Sequence, residues 1–250
     1  MSAAPDTSKR TDAPSPEGTR RRTLYGRRQG KKLRPGQQGL LETLLPKLLV
    51  SVTHSLDPRD HAASLDLPAL FARAMPGGWW LEIGFGSGEH LVWQAEHNPD
   101  IGLIGCEPYI NGIAKCLAHV ARTGVANVRL FDNDARFVMA ALPPSSLGRV
   151  FVLFPDPWPK TRHQKRRFIC RENLDRLAQL MLPGAELRMA TDDPVYLAWM
   201  LEQTCLHPAF EWLAQAPADW RQRPEDWPPT RYEQKMLAGR RPTFLRFRRR

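Results

Sequence analysis

The chain has 250 residues and carries 36 lysines and arginines against 26 aspartates and glutamates, which gives a formal net charge of +10. This length suits one large α/β domain plus a tail and argues against two full domains. No stretch approaches the ~20 consecutive apolar residues that a membrane span requires, so the composition predicts no membrane partner.

The cysteines and histidines indicate neither disulfides nor a metal site. The four cysteines, Cys106, Cys116, Cys170 and Cys205, include no C-x-x-C pair and lie in or beside apolar segments. This spacing is typical of free core thiols in a reducing compartment. The seven histidines show no H-x-x-x-H spacing, so we predict no bound metal. The first residues lack the apolar run of a signal peptide, and these features together predict a cytoplasmic protein.

The positive charge is concentrated at both ends of the sequence and between Lys160 and Arg171. Such blocks favour a polyanionic partner, with nucleic acid as the first candidate, although solvated faces and tails remain the alternative.

Residues 1–36 are rich in proline, serine, threonine, glycine and arginine, so we predict a basic tail that is disordered on its own. Residues 37–250 would then form a single domain. Six leucines near its start follow helical spacing and predict a preface helix packed against the core. They are Leu40, Leu41, Leu44, Leu45, Leu48 and Leu49.

Apolar, strand-like runs then alternate with helical ones, which predicts βαβ order and a parallel sheet. These runs are Trp79–Ile83, Ile101–Cys106, Val128–Phe131, Val150–Phe154 and Glu186–Ala190. Two later runs, Phe210–Ala214 and Thr243–Phe247, predict an antiparallel pair at the sheet edge. The expected fold is therefore α/β, with a seven-stranded, mostly parallel sheet flanked by helices.

Between the first strand and its helix lies the glycine-rich stretch Leu81–Gly88, with Gly84, Gly86 and Gly88 after Glu82. Glycines here allow positive φ and a close approach of the backbone to a ligand. A dinucleotide site would require glycine or alanine where Glu89 stands, and pyrophosphate is unfavourable beside two glutamates. A cofactor without phosphate, such as S-adenosylmethionine, suits the loop better; an ordinary glycine turn is the alternative.

Three acids stand at the carboxyl ends of the first three strands, where open α/β sheets bind ligands. Besides Glu82 they are Glu107, suited to two ribose hydroxyls, and Asp134, suited to an adenine amino group. A single such acid is commonly a helix N-cap or a turn residue, but three in register favour a cofactor site.

The fourth strand runs into Phe154–Lys160, where three prolines fix the backbone around Asp156 and Trp158. A stiff loop carrying a carboxylate beside an indole suits a flat base, because the ring stacks and the carboxylate accepts from guanine N–H groups. The alternative is a stiff surface loop with Trp158 packed into the domain.

A basic run follows at once, and its six residues are predicted to contact RNA phosphates. They are Arg162, His163, Gln164, Lys165, Arg166 and Arg167. Further along, Asp192 follows the fifth strand, and Thr230–Glu233 could close over a substrate.

Together these motifs resemble the bacterial tRNA (guanine-N7-)-methyltransferases of the TrmB type, which are class I, Rossmann-like methyltransferases. The resemblance spans about residues 20 to 248. It rests on Arg27–Gly30, Gln37, Leu81–Gly88, Gly105–Glu107, Asp134, Phe154–Arg167, Ala190–Asp192 and Thr230–Glu233. The segment Phe154–Lys160, called the proline-rich loop below, and the basic run after it distinguish this family best from other class I methyltransferases.

The resemblance implies methyl transfer from S-adenosylmethionine to N7 of a guanine in the tRNA variable loop. We expect the protein to be a monomer or a homodimer. Glu82, Gly84, Gly86, Gly88, Glu107, Asp134 and Asp156 would bind the cofactor, with Asp156 also the catalytic residue. Lys160, Asp192, Thr230, Arg231, Tyr232 and Glu233 would contact the substrate.

Two positions depart from the family's usual pattern. The last motif reads Thr-Arg-Tyr-Glu where Thr-Lys-Phe-Glu is common, and Pro159 stands where histidine is common. Two alternatives stay open at this point. One is a class I methyltransferase for another RNA, a protein or a small molecule, and the other is an inactive RNA-binding module of the same fold.

Overall fold

One sheet organises the computed structural model, which describes residues 26–52, 64–230, 233, 239 and 241–250. Its seven strands in these ranges run in the order β3-β2-β1-β4-β5-β7-β6. The strands are β1 Trp79–Ile83, β2 Gly102–Cys106, β3 Val128–Phe131, β4 Leu147–Leu153, β5 Met181–Thr191, β6 Phe210–Trp212 and β7 Thr243–Arg249.

Helices connect these strands and cover both faces of the sheet. They are α1 Pro35–Thr43, α2 Leu45–Leu48, α3 Glu89–His97, α4 Ile110–Thr123, α5 Ala135–Ala141, α6 Arg171–Leu180, α7 Pro194–Cys205 and α8 Ala218–Arg221. Short 3-10 turns lie at Pro68–Leu70 and Thr161–Arg166.

Strands β1 to β5 pair in parallel, whereas β7 pairs antiparallel with both β5 and β6. The predicted parallel sheet with an antiparallel edge pair is therefore confirmed. The strand order reverses between β1 and β4, and a crevice opens outside the carboxyl ends of the strands at such a reversal. The fold thus puts the ends of β1 and β4 at the centre of a candidate binding site.

The sheet separates two apolar layers. On one face Leu81 and Ile83 pack with residues of α5, α6 and α7, such as Val138, Leu174 and Met200. On the other face Trp80 packs with Leu91, Ile113 and other residues of α3 and α4. Because side chains alternate along a strand, Glu82 points into the second layer, below α3.

The predicted strand bounds agree with the structure where the apolar run is simple. Strands β1 and β3 have the predicted ends, but β5 begins five residues earlier than predicted, directly after α6. The exposed Pro183 and Gly184 lie in this early part, where the register with β4 shifts between Leu147 and Arg149. Pattern analysis takes such residues for a turn, although here they belong to an irregular strand.

The predicted preface helix is broken in two. Pro46 lacks the N–H that a continuous helix would use, and it lies in the first turn of α2. The leucines of α1 and α2 pack against the second layer as predicted, with Leu48 buried. Leu49 instead is exposed and bridges to Leu130, and the Val50 N–H donates to the Leu130 carbonyl at 2.8 Å.

Much of the predicted N-terminal tail, residues 1–25, lies outside the described residues. The remainder is attached to the domain, because α1 begins at Pro35 and residues 28–31 form hydrogen bonds to the region around Asn111. Buried Cys106 and Cys116 match the predicted core thiols, whereas Cys205 is exposed at the end of α7.

Within the ranges listed above, no helix is long and apolar enough to cross a membrane. The same residues contain no group of three or more histidine, cysteine, aspartate or glutamate side chains suited to a metal ion.

Candidate active site

A cavity of about 1370 Å³ opens at the carboxyl ends of β1, β2, β3 and β4. The glycine loop, the loop after β2, the start of α5 and the proline-rich loop after β4 form one part of its wall. Residues 164–167 of the basic run and the first turn of α6, with Trp199 and Gln203 of α7, form the rest. The strand topology therefore brings the predicted cofactor loop and the predicted guanine loop to one cavity.

The glycine loop bends through three positive φ angles, +75° at Gly84, +58° at Gly86 and +80° at Gly88. Gly84 and Gly86 line the cavity, and a Cβ on either would have no atom within 4 Å. Gly88 has a different role, since a Cβ there would lie 2.5 Å from the Sγ of Cys116 in α4. Two glycines therefore leave room for a ligand, and the third allows α3 and α4 to pack closely.

Glu107 holds the glycine loop in place from the end of β2. Its Oε2 accepts a hydrogen bond from the Gly86 N–H at 2.8 Å, and its Oε1 accepts one from the Tyr109 N–H at 2.9 Å. Burial raises the pKa of Glu107 to about 7, although these two backbone hydrogen bonds act in the opposite direction. The residue lines the cavity as an acceptor whose charge changes near neutral pH.

Asp134 serves as the N-cap of α5 and also lines the cavity. Its carboxylate accepts from the Arg136 N–H at 3.0 Å and pairs with the Arg136 guanidinium. The neighbouring Asn133 lines the same wall and accepts from the Asp134 N–H. The structure therefore shows the N-cap role at Asp134, and the predicted contact with adenine stays a prediction that its place in the cavity wall allows.

Glu82 lies below the glycine loop and is not among the residues that line the cavity. It is 3% exposed, and its Oε2 is 2.8 Å from Nδ1 of His90, a buried histidine in the first turn of α3. The side chain of Glu82 is thus paired with a helix residue and lies outside the cavity wall, and its predicted contact with the cofactor stays a prediction. The histidine that it pairs with belongs to no motif in the sequence.

The proline-rich loop carries backbone strain on both sides of Asp156. Phe154 has φ +50° and Trp158 has φ +44°, in the left-handed region that non-glycine residues seldom adopt. Asp156 lies between Pro155 and Pro157 and lines the cavity, where it is exposed, and partial desolvation by the cavity walls raises its pKa. Strain concentrated around a carboxylate in a cavity is typical of a functional loop.

Trp158 also faces the cavity, with an arginine and a histidine beside its ring. The Arg166 guanidinium lies 4.9 Å from the ring centroid, and the His163 ring approaches edge-on with centroids 5.8 Å apart. Trp158 is half-buried, so the alternative of an indole packed into the domain holds only in part.

The basic run forms the 3-10 turn Thr161–Arg166 and then enters the domain. Arg162 and Lys165 are exposed, and His163, Gln164 and Arg166 are half-buried. Arg167 differs because it is 3% exposed, and its Nε donates to the Pro157 carbonyl at 2.9 Å. We therefore assign Arg167 to holding the proline-rich loop and not to the predicted phosphate contact.

The segment Gly26–Lys31 crosses the edge of the cavity. The Ile110 N–H donates to the Arg28 carbonyl, and Nη2 of Arg28 donates to Oδ1 of Asn133 at 2.5 Å. The Gly30 N–H donates to Oδ1 of Asn111 at 2.7 Å. Sequence reasoning gave this segment no role, and only the Arg-Arg-Gln-Gly string of the family resemblance could have drawn attention to it.

The described residues that were predicted to contact the substrate are not among those that line the cavity. Lys160 is exposed and Asp192 is half-buried after β5, and neither lines the cavity. Oε2 of Glu233 accepts from the Thr230 N–H at 2.7 Å, and the Glu233 N–H donates to Oγ1 of Thr230 at 3.3 Å, as in a capping box. Arg231 and Tyr232 lie outside the described residues.

Comparison with known proteins gives a consistent result. Residues 78–245 match the family model Methyltransf_4, described as "Putative methyltransferase". A protein of Paramagnetospirillum magneticum is 54% identical over 91% of this chain and 92% of its own length. A protein of Rhodospirillum rubrum is 52% identical over 91% of this chain and 88% of its own length. A protein of Ruegeria pomeroyi is 50% identical over 92% of this chain and 95% of its own length. All three relatives are named tRNA (guanine-N(7)-)-methyltransferase.

Proposed function

The chain belongs to the tRNA (guanine-N(7)-)-methyltransferase family, and from that premise we propose that it methylates N7 of a guanine in the variable loop of tRNA. As a member of this family it is an S-adenosylmethionine-dependent methyltransferase.

One observation carries the proposal. A single cavity is lined both by Gly84 and Gly86 of the glycine loop and by Asp156 and Trp158 of the proline-rich loop. Methyl transfer requires the donor and the acceptor base to meet in one site, in line with each other. An inactive RNA-binding module would have no need to keep both loops at one cavity.

The cavity residues fit S-adenosylmethionine, which supplies an electrophilic methyl group on a sulfonium when bound. Gly84 and Gly86 leave space that a Cβ would fill. The Glu107 carboxylate would accept hydrogen bonds from the ribose hydroxyls, and Asp134 with Asn133 would hold the adenine. Asp156 would face the cationic part of the cofactor.

Guanine N7 carries a free lone pair, so its attack on a methyl group requires no base to remove a proton. This chemistry agrees with the motifs, which offer a carboxylate and an indole instead of a nucleophile with its base. The base becomes cationic as the methyl group arrives, and Asp156 would stabilise that charge in the transition state. Trp158 would stack on the base and fix its plane, while Pro155 and Pro157 keep the loop rigid.

The exposed cations Arg162 and Lys165 would contact tRNA phosphates beside the cavity mouth. Lys160, Asp192 and the Thr230–Glu233 motif would contact other parts of the substrate. We further propose that the protein acts in the cytoplasm, as a monomer or homodimer.

The test is incubation of the purified protein with unmethylated tRNA and radiolabelled S-adenosylmethionine, followed by nucleoside analysis of the digested RNA. Label in 7-methylguanosine, with a position mapped to the variable loop, is the expected result. Label in another nucleoside would exclude guanine N7 as the acceptor, and absence of label would leave the inactive binding module as the better interpretation.

A further inference from the structure

We propose that His90 and Gln94 are positioning residues that hold the 226–230 segment, Asp226 to Thr230, in the place where it meets tRNA. This inference rests on the proposed function. It concerns two buried polar side chains of α3 that line no part of the cavity.

His90 and Gln94 lie one turn apart on the buried face of α3, with exposures of 2% and 1%. Nδ1 of His90 is 2.8 Å from Oε2 of Glu82, and Nε2 of His90 is 3.2 Å from Nε2 of Gln94. Nε2 of Gln94 also donates a hydrogen bond to the main-chain carbonyl oxygen of Asp226, 2.8 Å away.

The chemistry of these groups selects one arrangement of protons. The Glu82 carboxylate is an acceptor, so Nδ1 of His90 carries the hydrogen and donates to it. Nε2 of His90 is then an acceptor for one N–H of Gln94, whose other N–H reaches the Asp226 carbonyl. A continuous line of hydrogen bonds therefore runs from the strand below the glycine loop to the 226–230 segment.

The 226–230 segment is held by its side chains as well. Oδ2 of Asp226 lies 2.8 Å from Nη1 of Arg188 on β5. Trp227 is 3% exposed, and its ring packs near those of Phe151 and His90, with centroids 6.4 and 5.9 Å away. Two consecutive residues are thus fixed against the sheet and α3.

Thr230 follows Trp227 by three residues and shares the reciprocal hydrogen bonds with Glu233 described above. Apolar packing alone would bury Trp227, but it is not directional. A chain of hydrogen bonds that ends on a main-chain carbonyl is directional, and it therefore fixes the position of the backbone more precisely than apolar packing does. The proposed role of Gln94 is therefore to set where Thr230 and Glu233 present themselves to the substrate.

The test compares Gln94→Met, which keeps the side-chain length but removes the amide donor, with His97→Gln as the control. His97 is an exposed histidine on the same helix. Steady-state methylation gives kcat and the KM for tRNA, and calorimetry gives the Kd for S-adenosylhomocysteine. For Gln94→Met we expect the KM for tRNA to rise about ten-fold, with kcat and the cofactor Kd within two-fold of wild type.

A KM for tRNA that stays at the wild-type value in Gln94→Met would overturn the inference. So would an equal loss in cofactor affinity and tRNA affinity, because that result describes general damage to the core. Should Gln94→Met not fold, Gln94→Asn keeps an amide at this buried position but shortens the side chain, so that it no longer reaches the Asp226 carbonyl, and the same selective rise in KM is expected. Wild-type protein that forms no 7-methylguanosine would instead refute the proposed function, so the two failures are distinguishable.

Discussion

Arg167 donates a hydrogen bond from Nε to the carbonyl oxygen of Pro157, 2.9 Å away, and so fastens the loop that carries Asp156. The guanidinium also lies 4.9 Å from the ring centroid of Trp199 on α7. One buried arginine therefore connects the proline-rich loop to the helical layer behind it.

We expect Arg167→Lys to lower kcat by at least ten-fold while the affinity for the cofactor stays near that of wild type. Lysine keeps the charge, but it lacks the planar fork that contacts Pro157 and the Trp199 ring together. Methylation kinetics and calorimetry with S-adenosylhomocysteine measure the two effects. Arg162→Lys is the matched control in the same run, and an equal loss of kcat there would show that Arg167 has no special role.

Asp156→Asn should retain tRNA binding and lose turnover by about 10²-fold or more, because an amide cannot balance the positive charge that develops on the base. Single-turnover methylation with saturating tRNA, together with a filter-binding Kd, separates the two quantities. Asp100→Asn alters an exposed carboxylate before β2 and should behave as wild type. An unchanged kcat in Asp156→Asn would remove this residue from the mechanism.

Removal of the exposed cations Arg162 and Lys165 should reduce the salt dependence of tRNA binding. Each phosphate contact contributes roughly 0.7 to 0.9 to the slope of log K against log salt concentration, so the double alanine variant should lose about 1.5 from that slope. The control is Lys47→Ala with Arg73→Ala, two exposed cations that lie outside the basic run. A slope equal to that of wild type in the first variant would place the RNA elsewhere.

Glu107 should make cofactor binding depend on pH below about 7. Burial raises its pKa to that value, so below it the folded protein holds a proton there, and the neutral carboxyl accepts hydrogen bonds from the ribose hydroxyls more weakly than the carboxylate does. The Kd for S-adenosylhomocysteine should therefore fall as pH rises from 5.5 to 7 and then level off. The same shift lowers the free energy of unfolding as pH rises from about 4.5 to 7, since the unfolded carboxyl releases its proton first.

The control for the pH effect is Glu107→Gln, which cannot titrate. Its Kd should be weaker than that of wild type at pH 7.5 and flat between pH 5.5 and 7.5, as calorimetry at several pH values would measure. A slope in the variant equal to that in the wild-type protein would assign the pH dependence to another group.

Local patterns in the sequence were sufficient for most of the sheet. Runs such as Trp79–Ile83 are apolar, short and bounded by glycine, and the alternation of such runs with helical segments fixes a parallel topology. Topology then brings Glu107, Asp134 and Asp156 to one cavity, because the carboxyl ends of neighbouring strands meet there. The site could be predicted to this extent without any coordinates.

Contacts between residues far apart in the chain could not be predicted in the same way. Arg28 and Asn133 are 105 positions apart, and Gln94 and Asp226 are 132 apart. No periodicity or spacing encodes such pairs, which depend on the packing of whole elements. The roles of His90 and Arg167 were missed for this reason, since a buried histidine and a buried arginine look like surface residues in a sequence.

Strand β7 is synthesised last of the seven, yet it lies between β5 and β6. During translation, β6 leaves the ribosome before β7 does. Until β7 follows, β6 has no strand to pair with, and the outer edge of β5 is also unpaired. Open edges of this kind invite pairing with other chains. The growing polypeptide should therefore be most vulnerable to aggregation, and most dependent on chaperones, in the interval between the emergence of β6 and that of β7.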